Sequence, residues 1–306
     1  MKVVSYLSSV PPGNKNPEKE EILKRFVQGV SAVGDQGILH TQSTIVDADV
    51  AVIQGWVHEG SKPSGHLNLR KQIVNTQLNA KKRVLIADSN LFLYSNKENP
   101  HHYLRYSFDG VFPTTGEYFS SNVDPDRWKQ ISKDHNIALR DWQTTGQNIL
   151  ICTQRNGGWS MKGFDVAQWL VQTVNEIRKH TDRPIVVRTH PGDKNAINYI
   201  NSKDPRWTMS TAEKMTDDFK NAWCVITYNS SPGVAAAIEG VPVFVTDPTP
   251  QVSQAFAVAN TNLENIESPQ TFDRQQWIES ISMSHWNFNE LSNGSAWRHM
   301  KEYVFK

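Results

Sequence analysis

The hydrophobic residues of this chain form short continuous runs, and each run is followed by a polar segment and then by apolar residues at helical spacing. Continuous runs rich in Val and Ile are typical of strands buried on both faces of a parallel sheet. The predicted strands cover residues 3–7, 51–55, 83–87, 110–112, 148–152, 184–188, 224–227 and 241–245. The predicted helices cover residues 17–33, 66–80, 164–180, 211–222, 233–239 and 272–282. The pattern therefore predicts an α/β protein.

The alternation of strands and helices stops in the polar segment 138–147 and begins again after it. Two such series in 306 residues predict two Rossmann-like, doubly wound domains that face a cleft, with ligands at the carboxyl ends of their strands. We expect residues 1–142 to form the first domain and residues 143–285 the second. Residues 286–306 are expected to form a C-terminal helix that packs back on the first domain.

Composition and charge narrow the class of protein. The chain is 38% hydrophobic and 21% charged, which is typical of a globular protein, and its net charge of +1 gives no general attraction to nucleic acid. Cys152 and Cys224 are its two cysteines, and both lie in apolar runs, so we expect a reducing cytoplasm and no disulfide framework. No apolar run reaches the roughly 18 residues of a membrane span, and we therefore expect no membrane anchor.

Candidate anion-binding residues follow two strands of the second domain. Arg155 and Gly157 follow the strand at 148–152, where a guanidinium and a flexible backbone can hold a phosphate. Arg188 and His190 end the next strand and are predicted to face the cleft. Two other interpretations stay open, since Arg155 could be a surface residue of a strand–helix turn and His190 could cap a turn.

A third candidate segment, 228–242, reads YNSSPGVAAAIEGVP. Ser230 or Ser231 can cap the helix that follows, and Pro232 suits its first turn. Gly233 and the alanines would let this helix lie close to a ligand and to the sheet. Free backbone N–H groups at the start of the helix could hold a diphosphate, although capping alone would also explain the pattern.

Residues 148–247 resemble the nucleotide-sugar domain of GT-B glycosyltransferases, in particular the capsule-polysaccharide type with its Kdo transferases and phage-borne relatives. The resemblance rests on the basic His-Pro turn, the Ser-Ser-x-Gly helix start and the Glu-Gly-x-Pro-Val segment. It implies a nucleotide sugar, expected to be a UDP-sugar such as UDP-glucose, as co-substrate. It also implies that the residues named above surround the donor diphosphate and sugar, and that Glu239 binds the ribose or the sugar.

The first domain carries the candidates for the acceptor side. It faintly resembles the phage β-glucosyltransferases that modify 5-hydroxymethylcytosine in DNA, through Asp88 and the strand before it. This resemblance implies that Asp88 is the general base of an inverting transfer, whereas in retaining relatives Asp88 would only bind acceptor. His58 is the second candidate base. Trp56, Glu59 and Asp109 are the predicted acceptor-binding residues.

The acceptor suggested by these resemblances is the hydroxymethyl group of a modified pyrimidine in phage or viral DNA. Six basic residues could track a DNA backbone, namely Lys62, Arg70, Lys71, Lys81, Lys82 and Arg83. A capsule or lipopolysaccharide glycan is the alternative acceptor. A nucleotide-sugar 2-epimerase and a non-catalytic sugar-nucleotide-binding module are the alternatives from other classes. We expect no cofactor and no metal, because Asp47 and Asp49 precede a buried strand at its amino end.

Overall fold

The computed structural model describes residues 1–11, 13, 18–58, 63–92 and 99–305, together with all of their side chains except that of Trp159. The chain divides into two compact units. Unit 1 contains Met1–Asn90, Asn99–Asp134 and Glu279–Lys306, and unit 2 is formed mainly by His135–Ile278. The chain therefore leaves unit 1 and returns to it at its C-terminal end.

The first part of unit 1 alternates strands with helices. Its elements are β1 (Lys2–Tyr6), α1 (Glu18–Ala32), β2 (Gln36–His40), β3 (Val50–Gln54), α2 (Gly65–Asn79), β4 (Arg83–Asp88), β5 (Leu104–Phe108) and α3 (Pro125–His135). A single turn of 3-10 helix, Leu7–Ser9, follows β1 directly. The predicted helices over 17–33 and 66–80 correspond closely to α1 and α2.

Unit 2 repeats the alternation with shorter helices. Its elements are β6 (Asn148–Cys152), α4 (Val166–Ile177), β7 (Ile185–Arg188), α5 (Ala196–Tyr199), β8 (Thr208–Met209), α6 (Met215–Phe219), β9 (Ala222–Thr227), α7 (Pro232–Ile238), β10 (Val243–Val245) and α8 (Gln275–Ser282). Asp165 caps α4 by accepting a hydrogen bond from the backbone N–H of Gln168 at 2.9 Å.

The C-terminal segment adds β11 (His285–Trp286), α9 (Phe288–Ser292) and α10 (Ser295–Met300), followed by a 3-10 turn over Lys301–Tyr303. These are two short helices and a turn, where the sequence predicted one helix. Asn287 and Glu290 form a reciprocal capping box that begins α9. Trp297 and Tyr303 are fully buried in the hydrophobic core of unit 1, which also contains Phe26 of α1.

The strands of each unit form one sheet among the described residues. The sheet of unit 1 has the order β11-β5-β4-β3-β1-β2, in which β1 to β4 are parallel and β5 and β11 are antiparallel to their neighbours. The sheet of unit 2 has the order β10-β9-β6-β7-β8 and is parallel throughout. The predicted α/β class with Rossmann-like parallel sheets is confirmed.

The predicted strand over residues 110–112 is wrong. The strand of this region is β5, and it pairs antiparallel with β4. The short apolar run after it belongs to a turn whose Gly110 packs against Thr115. The sequence analysis also missed β2, because its side chains are only partly buried and its hydrophobic run is correspondingly weak.

Candidate functional site

The carboxyl ends of β6 and β9 are adjacent in unit 2. From there the chain continues toward opposite edges of the sheet. From β6 the chain proceeds to β7, whereas β9 lies on the other side of β6 and leads to β10. In an open α/β sheet, a ligand binds where the strand order reverses in this way. The loops that begin at Thr153 and Tyr228 therefore form the candidate site of unit 2.

A buried polar network fixes these two loops. The backbone N–H of Asn229 donates to Gln154 Oε1 at 3.0 Å, and Asn229 Nδ2 donates to Asp247 Oδ2 at 2.7 Å. Asn229 Nδ2 also donates to the carbonyl of Ser160 at 3.1 Å. The second carboxylate oxygen of Asp247 accepts from the backbone N–H of Thr249 at 2.8 Å. The network thus joins the segments that follow β6, β9 and β10.

Sequence reasoning missed Gln154, Asn229 and Asp247, although each follows a buried strand within two residues. All three side chains are buried, and buried polar groups are retained where their hydrogen bonds are satisfied. Lys162 Nζ lies 3.7 Å from the Asp247 carboxylate, which places a cation beside the network. The network gives the loops of the candidate site a fixed shape.

The predicted serine pair does not cap the helix that follows it. Ser231 is the N-cap of α7, yet its side chain makes no capping hydrogen bond. The hydroxyl of Ser230 is buried and has no hydrogen-bond partner in the part of the chain that the structure describes. The hydroxyls of Thr153 and Thr227, at the ends of β6 and β9, share this property. A ligand at the switch point could supply the missing partner of Ser230.

Gly233 has a different role from the predicted one. Its N–H donates to the carbonyl of Ser230 at 3.1 Å, so this N–H is already used within the protein. A Cβ on Gly233 would lie 3.2 Å from the Cβ of Ala255 and 3.3 Å from Val243 Cγ1. The residue is therefore small because α7 packs closely on β10 and on Ala255.

Arg155 and His190 lie on two loops that Asp193 holds together. The Asp193 carboxylate accepts hydrogen bonds from the backbone N–H of Asn156 at 2.8 Å and from the hydroxyl of Tyr199. Arg155 itself is exposed, with its guanidinium on the surface of the loop after β6. The structure thus brings the predicted Arg155 and His190 to the same part of the carboxyl edge.

The protonation state of the His190 imidazole allows it to donate a hydrogen bond. Desolvation lowers the pKa of its imidazole below the usual 6.5, Asp193 opposes this effect, and the charge of Arg155 adds to it. Its Nδ1 accepts from the backbone N–H of Gly192 at 3.0 Å. The neutral ring therefore carries its proton on Nε2, which is free of this turn and can donate to an anion.

Gly157 permits the turn that presents Arg155. Its φ of 67° lies in the left-handed region, and the N–H of Gly158 closes the turn on the carbonyl of Arg155 at 3.0 Å. The space around the Cα of Gly157 is open. Backbone conformation is therefore a sufficient reason for glycine at this position.

Arg188 is held by its own unit. Its Nη1 donates to Asp218 Oδ2 at 2.7 Å and to the carbonyl of Ala212 at 2.9 Å, and its Nη2 donates to the carbonyl of Glu213 at 3.0 Å. These bonds join the end of β7 to α6 and the loop before it. Because the guanidinium is already engaged, we do not include Arg188 in the candidate phosphate site.

The predicted donor role of Glu239 is wrong on grounds of position. Helix α7 runs antiparallel to the strands, and Glu239 follows its last residue, so it lies at the opposite edge of the sheet from Ser230. The seven residues of α7 span about 10 Å. At that edge the Glu239 carboxylate accepts from Arg140 Nε at 2.8 Å.

In unit 1, Asp88 lies at the carboxyl edge, as its place in the sequence predicts. It is the last residue of β4, and Arg105 Nη2 on β5 donates to Asp88 Oδ2 at 2.5 Å. Arg105 is buried, whereas Asp88 is partly exposed. The ion pair fixes the orientation of the carboxylate, and the role of Asp88 as general base stays a prediction.

Trp56 and His58 follow β3, the strand next to Asp88. The N–H of Gly55 donates to the carbonyl of Ala87 at 2.8 Å, so the ends of β3 and β4 are adjacent. Both side chains are half-buried, and desolvation lowers the pKa of His58 below 6.5. The imidazole is therefore neutral near pH 7 and able to accept a proton. Glu59 lies outside the described residues.

The predicted acceptor role of Asp109 is wrong. Because β5 is antiparallel, the residue after it lies beside the start of β4, at the amino edge of the parallel strands. There the Asp109 carboxylate accepts from Arg83 Nη1 at 2.6 Å and from the backbone N–H of Val84 at 2.8 Å. Desolvation raises the pKa of Asp109, while these two donors oppose the increase.

Of the six basic residues predicted to track DNA, Lys71 and Lys81 are exposed, whereas three others are paired or buried. Lys82 pairs with Asp47 at 2.5 Å and Arg83 pairs with Asp109 at 2.6 Å. Arg70 is buried. Lys62 lies outside the described residues. The local positive charge that a DNA acceptor would need is therefore reduced by pairing and burial.

Comparison with solved structures identifies the fold. The chain is similar to the β-Kdo 2,4-transferase of Thermosulfurimonas dismutans KpsC, with a TM-score of 0.56 and 12% sequence identity over 93% of this chain and 90% of that chain. This protein has the GT-B fold. The sequence matches no protein-family model and no curated protein.

Two further solved structures are similar to the GT-B chain at lower scores. One is the β-Kdo 2,7-transferase of the same KpsC, with a TM-score of 0.48 and 13% identity over 97% of this chain and 99% of that chain. The other is the UDP-GlcNAc 2-epimerase of Methanocaldococcus jannaschii, with a TM-score of 0.36 and 11% identity over 99% of this chain and 100% of that chain.

The described residues contain neither a cluster of metal ligands nor a helix suited to span a membrane. No group of three His, Cys, Asp or Glu side chains there could hold a metal ion. Within the same residues, every helix is too short or too polar to cross a bilayer. The expected independence from metals stays a prediction.

Proposed function

We propose that this protein transfers a sugar from a nucleotide-sugar donor, expected to be a UDP-sugar, to a hydroxyl group of a glycan. The observation that carries the proposal is the switch point of unit 2. There the Ser230 hydroxyl, which neither caps a helix nor bonds within the described chain, belongs to the loop next to that of Arg155. A hydroxyl and an exposed guanidinium are suitable groups for a diphosphate.

Sugar transfer breaks the bond between the anomeric carbon and the diphosphate oxygen, and it forms a bond from that carbon to the acceptor oxygen. The electron pair of the broken bond goes to the leaving diphosphate. In the proposed mechanism Arg155, Ser230 and the Nε2–H of His190 stabilise this charge as it develops. Side chains fixed before the reaction are most effective here, and the network of Gln154, Asn229 and Asp247 supplies that rigidity.

If transfer inverts the anomeric centre, the acceptor proton goes to a base in unit 1. His58 is suited to this role because its lowered pKa keeps the imidazole unprotonated near pH 7. Asp88 is the other candidate, and its pairing with Arg105 would orient it toward an acceptor. We expect the wild type to lose activity toward low pH. If this pH dependence disappears in His58→Gln and persists in Asp88→Asn, the base is His58.

The pairing of Lys82 and Arg83 and the burial of Arg70 favour a glycan over DNA as the acceptor. The solved structure that shares the fold is, by its name, a Kdo transferase. The 5-hydroxymethylcytosine acceptor stays a prediction of the sequence, and the same assay tests it.

The deciding experiment is a donor-and-acceptor screen read by mass spectrometry. The protein is incubated with a panel of nucleotide sugars and with oligosaccharides or DNA containing 5-hydroxymethylcytosine, with and without EDTA. We expect a mass gain of one sugar on an oligosaccharide, unchanged by EDTA. A mass gain on DNA would instead support the DNA acceptor that the sequence predicts.

The same screen separates the transferase from the other classes. Arg155→Ala should weaken binding of the nucleoside diphosphate by about 10- to 100-fold, since a hydrogen bond to a charged group contributes about 1.5–3 kcal/mol. Arg140→Ala is the matched control, because this exposed arginine of unit 2 pairs with Glu239 at the opposite edge. An epimerised donor without transfer would indicate an epimerase, and binding without turnover a non-catalytic module.

A further inference from the structure

Arg70 of α2 is a buried cation with no carboxylate beside it in the described part of the chain. Only 6% of its surface is exposed, and its Nε donates to the carbonyl of Ser9 at 2.8 Å. Its two terminal nitrogens make no hydrogen bond to the described residues. Desolvation lowers the pKa of the guanidinium to about 10, so it is still charged at pH 7.

Other arginines of unit 1 with similar burial are paired. Arg105 contacts Asp88, and Arg127 makes a bidentate contact with Glu290. A buried charge without a carboxylate beside it gives up part of its hydration without compensation. Among the described residues nothing provides that interaction for Arg70, which makes its guanidinium a candidate for binding a ligand.

The position of Arg70 supports a ligand. In the sheet of unit 1, β2 lies on one side of β1 and β3 on the other, so the strand order reverses between β1 and β3. Ser9 belongs to the turn after β1, and Gly55 directly follows β3. Arg70 bonds the first of these loops and lies against the second, and it is therefore placed at the switch point of unit 1.

Glycine at this place accommodates the close approach of the guanidinium itself. A Cβ on Gly55 would lie 3.0 Å from Arg70 Nη1, and its φ of 79° is in the left-handed region. His66, in the first turn of α2, adds no compensating negative charge. Desolvation lowers the pKa of His66, and the charge of Arg70 lowers it further, so this imidazole is neutral at pH 7.

We infer that Arg70, between the loops that carry Ser9 and Gly55, binds an oxyanion carried by the acceptor, either a carboxylate or a phosphate. The planar guanidinium offers two terminal nitrogens, which match a pair of oxygens on such a group. The end of β3 is adjacent to Asp88, so the anion would lie near the hydroxyl that reacts. The assignment of the anion to the acceptor rests on the proposed function, whereas anion binding at Arg70 does not. The proposed acceptor is therefore an acidic sugar.

The test compares three probes that share one hexose: d-glucuronate, d-glucose 6-phosphate and d-glucose. Each is titrated into the full chain without donor, and binding is followed by ligand-observed NMR. We expect at least one of the two anions to bind about tenfold or more tightly than glucose. The tighter of the two identifies the anion as carboxylate or phosphate, and competition by inorganic phosphate shows that the anionic group is what is bound.

Arg70→Met should abolish the preference for the anionic hexose. Arg127→Lys is the matched control, because it changes a buried arginine of the same unit that has its own carboxylate. If Arg70→Met does not fold, Arg70→Lys decides, since a lysine keeps the charge but loses the two-pronged contact and should weaken the preference about tenfold.

Equal binding of the three hexoses by the wild type, or an unchanged preference in the Arg70 variant, would overturn the inference. Neither result depends on transfer, because the titration contains no nucleotide sugar. Conversely, a protein that shows the preference but transfers no sugar would keep the anion site and refute the proposed function.

Discussion

Arg155 follows β6 and Arg188 ends the neighbouring strand β7. The sequence gives no basis for distinguishing these two arginines, yet their surroundings differ. Arg188 is bonded to Asp218 and to two backbone carbonyls, whereas Arg155 is exposed on its loop. The sequence predicts which residue types reach the carboxyl edge, because strand ends are readable from hydrophobic runs. It does not predict partners such as Asp218, which lies 30 residues away from Arg188.

Ser230 provides a test of the site at the level of a single atom. Ser230→Ala removes a buried hydroxyl that has no partner among the described residues, so the free energy of unfolding should stay the same or rise, by up to about 1–3 kcal/mol. Affinity for the nucleoside diphosphate should fall by about fivefold or more, because a hydrogen bond contributes about 1 kcal/mol. Urea unfolding and calorimetric titration measure the two quantities.

Asn287→Ala is the control for this substitution. Its side chain caps α9, and its loss should lower the free energy of unfolding by about 1 kcal/mol without changing nucleotide affinity. If Ser230→Ala destabilises the protein as much as Asn287→Ala does, the hydroxyl has a structural role and the assignment of Ser230 is wrong.

At the scale of elements, the central parallel strands were predictable, whereas the edge strands β2, β8 and β11 were not. Strands β3, β4, β6 and β9 are buried on both faces and therefore read as continuous apolar runs. The direction of β5 leaves no trace in its own sequence, so the sequence could not show that Asp109, which follows β5, lies at the amino edge of the parallel strands. The error for Glu239 arose likewise from direction, since a helix that returns along the sheet carries its last residue away from the site.

The candidate site shows the same division. The Ser-Ser pair and Arg155 lie in loops that the sequence predicts. The strand pattern also predicts that these loops lie at the carboxyl edge of the sheet. Asp247 was missed because it follows a strand of three residues, β10, and acts through Asn229, whose neighbourhood is set by strand pairing.

The contact between β2 and the C-terminal helices predicts a pH effect. The Asp35 carboxylate, just before β2, accepts from the amino group of Met1 at 2.8 Å, the indole of Trp297 at 2.8 Å and Lys301 Nζ at 3.1 Å. Desolvation alone would raise the pKa of Asp35, but these three donors outweigh it and lower the pKa to about 2. The stabilisation is therefore complete above about pH 4 and is lost as the pH falls toward 2.

Asp35→Asn should lower the free energy of unfolding at pH 7 by about 1–2 kcal/mol, the lower figure allowing for screening by solvent. It should also flatten the dependence of stability on pH between about 4 and 2. Urea unfolding at a series of pH values measures both. Asp47→Asn, which changes an exposed partner of Lys82, should alter the profile much less, because solvent screens that pair. A variant profile as steep as that of the wild type would contradict the assignment.

At the scale of the whole molecule, each unit has its own hydrophobic core. Trp297 is fully buried in the core of unit 1 and packs edge-on against Phe26 with ring centroids 5.8 Å apart. Trp297→Ala should cost about 3–5 kcal/mol. Hydrogen exchange should then increase in α1 and β2, while β6 and β9 of unit 2 keep their protection.

Trp169→Ala is the reciprocal variant, because Trp169 of α4 belongs to the core of unit 2. It should increase exchange in β6 and β9 and leave α1 protected. Equal loss of protection in both units, in either variant, would mean that the two cores unfold as one cooperative structure.

The return of the chain to unit 1 has a consequence for how the protein is made. Unit 2 is encoded by one nearly continuous stretch, so it can fold as soon as residues up to about 278 have left the ribosome. The earlier part of unit 1 has to wait, since its core is incomplete without Trp297 and Tyr303. During translation the apolar faces of α1 and its sheet stay open to chaperones, and a message broken before residue 279 yields a product that presents those faces to proteases.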